Sequence, residues 1–331
     1  MNATNDITVG KLLDMSSSYW KSCTIHAAVK LDIFSQIGSG WVSAGEVAKK
    51  INGDHRGVET LLNAACAMGL LHKKESLFAN NEFSMEKLVR NSPQYMGHII
   101  MHHHHLVESW FQLDRAVKSG RPIETDTVDE DTERESFLMG MSNLAIGIAP
   151  NLVKQVDLRG RRHLLDLGGG PGTYAVFFCK ENPDLQATIF DRETTRPFAA
   201  KTAERFGMQQ RLSFIGGDFN IDPIPGRYDA AWLSHILHSN GPEECQNIIT
   251  KTVAAMEPGG LIMIHEFFLD ETMTAPLFPA LFSLNMLLNN DRGQSYSEGQ
   301  IASMLEKTGV RKIQRLPFQG PNDSYILCGT V

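Results

Sequence analysis

Apolar positions fall at helical spacing in the first part of this chain and in short alternating runs after it. Lys11 to Trp20 and Cys23 to Ile37 are apolar-periodic segments separated by little more than a turn. Ser43-Ala44-Gly45-Glu46 reads as a capping box opening a helix from Glu46 to Ile51, with Glu46 reaching back to the cap. Arg56 to Leu71 carries Val58, Leu61, Leu62, Ala65 and Met68 as one helical stripe. Leu70 to Phe83 alternates and predicts a hairpin turning at Ala79-Asn80-Asn81. Residues 96–150 read as mostly helical, with a helix over Glu108–Val117 closed by Ser119-Gly120 and Pro122. The acidic, Thr-rich stretch Glu124 to Glu135 reads as a loop or a helix start.

From Arg161 the pattern becomes strand, helix, strand. Strands are expected at His163–Leu167, Gln186–Phe190, Leu212–Ile215, Ala230–Leu233 and Leu261–Ile264, with helices at Thr173–Glu181, Thr194–Phe206 and Glu243–Met256. A helix near Ser297–Lys307 and strands Ile313–Leu316 and Ser324–Cys328 suit an antiparallel edge. Such alternation implies an α/β fold with a mostly parallel, Rossmann-like sheet covered on both faces. The N-terminal pattern of helices and a hairpin implies a mainly helical winged-helix domain. The expected organisation is the winged-helix domain over 1–95, connecting helices over 96–155, and the Rossmann-like domain over 156–331.

Composition narrows the partners. A formal charge of −7 over 331 residues disfavours nucleic acid. Within residues 1–90, ten basic and nine acidic side chains leave no basic footprint for a groove-reading helix. Cys23, Cys66, Cys179, Cys245 and Cys328 are scattered, form no CxxC pair and suit reduced thiols in the cytoplasm. No secretory leader or membrane-length apolar run is expected. His98, His102 and His105 share a helix face, yet they lack a clear acidic or cysteine partner, so no metal is expected there.

The strongest chemical signal is Leu164-Leu165-Asp166-Leu167-Gly168-Gly169-Gly170-Pro171-Gly172, an apolar strand entering a glycine-rich turn before a helix. Glycines admit close approach of a ligand, and the helix start offers free N–H groups. Gly170-Pro171-Gly172-Thr173-Tyr174-Ala175 also fits a dinucleotide spelling. Asp166 decides against that reading, because a carboxylate beside the turn opposes a pyrophosphate and suits an ammonium. Asp191, at the end of the next strand, suits ribose hydroxyls, and Asp218 with Phe219 suits adenine. All three acids sit at carboxyl ends of strands, where open α/β sheets bind ligands. The cofactor expected is S-adenosylmethionine.

These residues, with Asp229, Leu237-His238, Pro258-Gly259-Gly260, Glu266, Glu108-Ser109-Trp110 and Gly140-Met141-Ser142, resemble the plant caffeic-acid-type and bacterial small-molecule O-methyltransferases over nearly the whole length. The resemblance implies a homodimer through a dimerisation domain over 1–95, a substrate pocket formed in part by the connecting helices over 96–155, and a catalytic domain over 156–331. It implies too a small aromatic acceptor, Gly168 at the methionyl end, Gly170 among the cofactor contacts, Asp191 at the ribose, and Asp218 with Phe219 at the adenosine. Ser234 stands where plant members often carry a cofactor-contacting lysine. The resemblance also places His238 as general base, oriented by Glu266 on the following strand. Its usual Asp-Trp pair after the histidine is Ser239-Asn240 here, and a second acid of plant members matches Ser295. Methylation at carbon or nitrogen therefore remains an alternative to oxygen, and a non-catalytic winged-helix regulator is a third reading. Trp110, Met141, His235, Met286 and Asn290 are the candidate pocket residues.

Overall fold

A computed structural model describes residues 7–124 and 130–331. The chain forms two compact units, one of Met1–His105 with Asp131–Asn143 and the other of Leu106–Glu130 with Leu144–Val331. Residues 96–155 are thus divided between the two units.

The first unit is mainly helical. Helices Val9–Ser17, Tyr19–Lys30, Ile33–Ile37, Ala44–Ile51 and His55–Ala67 accompany a small antiparallel sheet. Its strands are β1 (Val42–Ser43), β2 (Leu71–Lys74) and β3 (Leu77–Asn80), in the order β1-β3-β2. The Ser43/Glu46 capping box forms in full. Phe34, Val47, Leu62 and Phe78 centre the core. Two expectations need correction. Cys23 to Ile37 is two helices, broken where Asp32 takes a left-handed φ of 54°. The hairpin turns at Glu75-Ser76, with Glu75 at φ 56°, and not at Ala79-Asn80-Asn81. The asparagines have other work. Asn80 donates its side-chain amide to the Phe34 and Gly38 carbonyls, and Asn81 caps a helix over Glu82–Lys87.

Further along lie helices Gly97–His105, Val107–Trp110, Leu113–Ser119 and Glu130–Leu152. The expected helix over Glu108–Val117 breaks at Phe111-Gln112, and Gly120 ends its second piece in a left-handed cap. Of the acidic stretch, residues 125–129 lie outside the described residues, and Glu130 opens a helix. That helix, continuing to Gln155, is long and apolar enough to cross a membrane, contrary to expectation. Nearly half of its most apolar 18-residue window is buried within the fold, and its end, Leu152 and Val153, packs into the core of the second unit.

The second unit is built on seven strands: β4 (His163–Leu167), β5 (Gln186–Asp191), β6 (Leu212–Gly216), β7 (Tyr228–Ser234), β8 (Met256–Phe267), β9 (Arg311–Gln319) and β10 (Ser324–Thr330). The order is β6-β5-β4-β7-β8-β10-β9, parallel through β8 and antiparallel for the last two. Adjacent residues face opposite sides, so Leu164, Trp232 and Met263 pack into one core while Leu165, Leu233 and Ile264 pack into the other. Burial on both faces is why these strands read as continuous apolar runs. Asp229, at the start of β7, accepts from the Arg162 and His163 amides and ties down the start of β4. The carboxyl ends of β4, β5, β7 and β8 converge on one edge, which carries the candidate site.

Candidate active site

The glycine turn between β4 and helix Thr173–Glu181 is shaped by contacts that leave no space for side chains. Gly168 has φ +63°, and a Cβ there would lie 2.6 Å from Ile236 Cγ2 and 3.2 Å from the Phe219 ring. Gly170, at φ 55°, donates its amide to Asp191 Oδ2 at 2.7 Å. Asp191 also accepts from the Arg192 amide at 2.6 Å. Burial raises the Asp191 carboxyl above its ordinary range, and these hydrogen bonds oppose the rise. Asp218 starts a tight turn in which its Oδ1 accepts from the Asn220 amide at 2.9 Å.

Asp166 is the telling group. It is buried, and its Oδ2 has no hydrogen-bond partner. Burial lifts its carboxyl to about 7, with the charge of Asp191 adding to the rise and a backbone hydrogen bond from Ala175 opposing it. An unpartnered buried carboxylate beside a glycine turn lacks a cation. The methionyl ammonium of S-adenosylmethionine would supply one, so these residues fit the expected cofactor.

The other half of the site stands where β7 and β8 run side by side, with Ser234 in register with His265. Beyond β7 the chain turns sharply at His235, which holds a left-handed φ of 56°. His238 follows in a short 3₁₀ turn. Its Nδ1 lies 2.8 Å from Glu266 Oε2, while Glu266 Oε1 accepts from the Leu237 amide at 2.9 Å. Both partners are buried. Burial opposes the charge on Glu266, yet the neighbouring His238 and His235 rings hold its carboxyl well below the usual range. An ionised carboxylate only accepts, so the Nδ1–H donates and Nε2 is left with a lone pair.

Aromatic rings surround this pair. Phe282 meets the His238 ring edge-on at 4.8 Å, Phe267 lies 4.2 Å from the His235 ring, and Phe278 packs on Phe267 at 4.9 Å. Phe278 and Phe282 sit on helix Leu277–Asn289, an element that the reading of elements from the pattern missed. Met286 is buried on the same helix, and the Asn290 side-chain amide approaches its sulfur at 3.4 Å. Trp110 donates its indole N–H to Asn285 Oδ1 at 3.0 Å. Met141, half-buried, belongs to the first compact unit.

The structure adds detail to the sequence reading at four places. The Ser234 hydroxyl is engaged with His265 Nδ1 at 3.0 Å, on a buried ring whose Nε2 lies 3.2 Å from Ser324 Oγ. His265 was not anticipated. A histidine between Ile264 and Glu266 in an apolar strand was its only signal. Ser295, matching the family's second acid, donates to the Pro279 carbonyl at 2.9 Å. The histidines 102–105 do not converge. His102 meets Phe137, His104 meets His26 and Lys30, and burial pushes His26 and His102 down to about 4. Among the described residues, the group of three donors close enough for a metal ion is His235, His238 and Glu266.

Residues 110–311 match the O-methyltransferase domain family, and residues 13–90 match the O-methyltransferase dimerisation domain. The chain is similar to a 3-hydroxy-5-methyl-1-naphthoate 3-O-methyltransferase of Streptomyces sahachiroi, 28% identical over 325 residues and covering 96% of this chain and 94% of the relative. It is also similar to the tetracenomycin polyketide synthesis 8-O-methyl transferase TcmO of Streptomyces glaucescens, 27% identical over 321 residues, with 95% and 94% covered. Among solved structures, an O-methyltransferase family protein from Burkholderia thailandensis superposes with a TM-score of 0.87 at 25% identity, covering 98% of both chains.

Proposed function

Because this chain belongs to the O-methyltransferase family, we propose that it methylates a hydroxyl of a small aromatic molecule, with His238 as the base that accepts the hydroxyl proton. The methyl donor is S-adenosylmethionine, which brings an activated sulfonium methyl to the site. The observation that carries the role of His238 is its 2.8 Å contact with a buried, ionised Glu266 at the ligand edge of the sheet.

The chain's residues divide the labour. Asp166 holds the donor's ammonium, Asp191 takes its ribose hydroxyls, and Asp218 with Phe219 borders its adenine. Gly168 and Gly170 keep side chains out of its way. Glu266 fixes the Nδ1–H tautomer of His238 and stabilises the imidazolium formed when Nε2 takes the proton. Phe267, Phe278 and Phe282 supply apolar walls that keep water from the acceptor. Their chemistry suits a flat ring such as the naphthoate that one relative is named for.

A homodimer through the N-terminal unit is part of the proposal. Helix Val9–Ser17 buries none of its residues, and Val9, Leu12, Leu13, Met15 and Trp20 are each more than half exposed. An apolar patch of this kind marks an interface. Val29 and Phe34, on the following helices, lie in the unit's own core and take no part in that patch. The helices and three-stranded sheet support a winged-helix reading of this unit, and five free cysteines support a reducing, cytoplasmic setting.

The test is mass spectrometry of products after incubation with methyl-labelled S-adenosylmethionine and a panel of phenols. Label on a phenolic oxygen is expected. Label on carbon or nitrogen alone, or no transfer to any phenol, would overturn the reading.

A further inference from the structure

We propose that His235, His238 and Glu266 form a binding site for one divalent transition-metal ion, Zn²⁺ in particular, and that filling it switches the enzyme off. The inhibitory half rests on His238 being the base; the binding half does not.

The donor set is two imidazole nitrogens and one carboxylate oxygen, a combination that takes Zn²⁺ with a further position left open. His238 Nδ1 lies 2.8 Å and His235 Nδ1 3.5 Å from Glu266 Oε2, and all three donor atoms fall within 4.8 Å of one another. With metal–ligand bonds of about 2.1 Å, donors around a tetrahedral ion stand about 3.4 Å apart. The 3.5 Å separation already lies at that value, the 2.8 Å one is shorter and the third is within 4.8 Å, so the rings must shift to bring all three to it.

His235 is the residue that makes the arrangement more than a catalytic pair. Its Nδ1 is buried without a hydrogen-bond partner, and 3.5 Å to the carboxylate is too long for a well-formed one. The ring is nevertheless held in place. A left-handed backbone, sparsely populated for a residue with a side chain, turns it toward Glu266. Its amide donates to the His265 carbonyl at 2.8 Å, and the Phe267 ring packs against it. Glu266 Oε1 is anchored by backbone amides, so Oε2 is the ligand oxygen and the outer contacts fix its orientation.

Binding and catalysis exclude each other. As base, His238 carries its proton on Nδ1 and accepts the hydroxyl proton at Nε2. An ion on Nδ1 displaces that proton, and the neutral ring then carries it on Nε2. The ring has no lone pair left for the acceptor, and Glu266 is committed to the ion.

The experiment uses the chelator-treated full-length protein, titrated with Co²⁺ as a spectroscopic probe and with Zn²⁺ in competition. Expected is one site whose four-coordinate Co²⁺ absorption bands are displaced by Zn²⁺, with affinity at least tenfold weaker in His235→Gln and in Glu266→Gln. Circular dichroism confirms that each variant folds. Saturating Zn²⁺ should reduce wild-type methyl transfer at least tenfold, reversibly on chelation. Bands absent from wild type, or unchanged in His235→Gln, would overturn the site and leave the role of His238 intact. Binding with undiminished turnover would overturn the block, and the kcat of metal-free His238→Ala tells separately whether His238 is the base.

Discussion

Asp166 and Glu266 are both buried carboxylates near carboxyl ends of strands in one sheet, yet their electrostatic situations are opposite. Asp166 has an oxygen without a partner, and burial lifts its carboxyl to about 7. Glu266 is surrounded by two histidines and two amides that hold it ionised despite equal burial. The protein surrounds one carboxylate with its own donors and leaves an oxygen of the other without a partner. A carboxylate already paired with a histidine orients a base, and one left unpaired selects a ligand. The division follows from neighbours alone, since the depth of burial is the same.

The largest expected effect is at the completed end. His238→Ala should lower kcat by at least about 10², the usual range for a lost general base. Calorimetry should show donor affinity unchanged within about twofold. A variant that keeps most of its kcat would break the comparison by removing the reason for Glu266 to be paired.

At the ligand end, Asp191→Ala should weaken S-adenosylmethionine by about 1.5–3 kcal/mol, the cost of losing charged hydrogen bonds. Unchanged affinity would remove Asp191 from the ribose.

Asp166 sharpens the comparison through pH. The donor's ammonium needs the ionised carboxylate, and with a midpoint of about 7 that form is about a tenth populated at pH 6 and nine-tenths at pH 8. Donor affinity should therefore rise about tenfold over that interval in wild type and stay flat in Asp166→Asn. Linkage adds a sign. A carboxyl raised in the folded state contributes stability below its unfolded value of about 4, and that contribution is lost as pH rises through about 7. Cofactor-free wild type should lose stability relative to Asp166→Asn over that range, as thermal unfolding would show. The opposite slope would contradict the assignment.

The smallest effect lies in the other compact unit. Ser43→Ala removes a complete capping box and should cost about 1 kcal/mol of that unit's stability by denaturant unfolding. With kcat unaffected, the chemistry is confined to the second unit. A large loss of kcat would break that confinement.

Much of this division was legible in the sequence because strand order and spacing carry it. Asp166, Asp191 and His238 each end a strand or follow one, and parallel neighbours bring β7 and β8 side by side without reference to distant contacts. The hairpin turn was misplaced because asparagine serves turns, caps and carbonyl contacts alike. Only their distinct partners, the Phe34 and Gly38 carbonyls for Asn80 and the Ser84 amide for Asn81, separate those uses. Helix Leu277–Asn289 was missed because it is apolar around most of its circumference and shows no polar face to mark its period. The shared position of His235 depends on a left-handed backbone angle, which composition and spacing do not encode.

The most direct test measures donor affinity and kcat together on two variants, Asp166→Asn and Glu266→Gln. The account predicts that Asp166→Asn loses donor affinity at pH 8 while retaining turnover at saturation. Glu266→Gln should keep donor affinity within about twofold and lose turnover, though less than His238→Ala, because the imidazole remains but is poorly oriented. Equal losses of both quantities in both variants would contradict the division of roles between the two carboxylates.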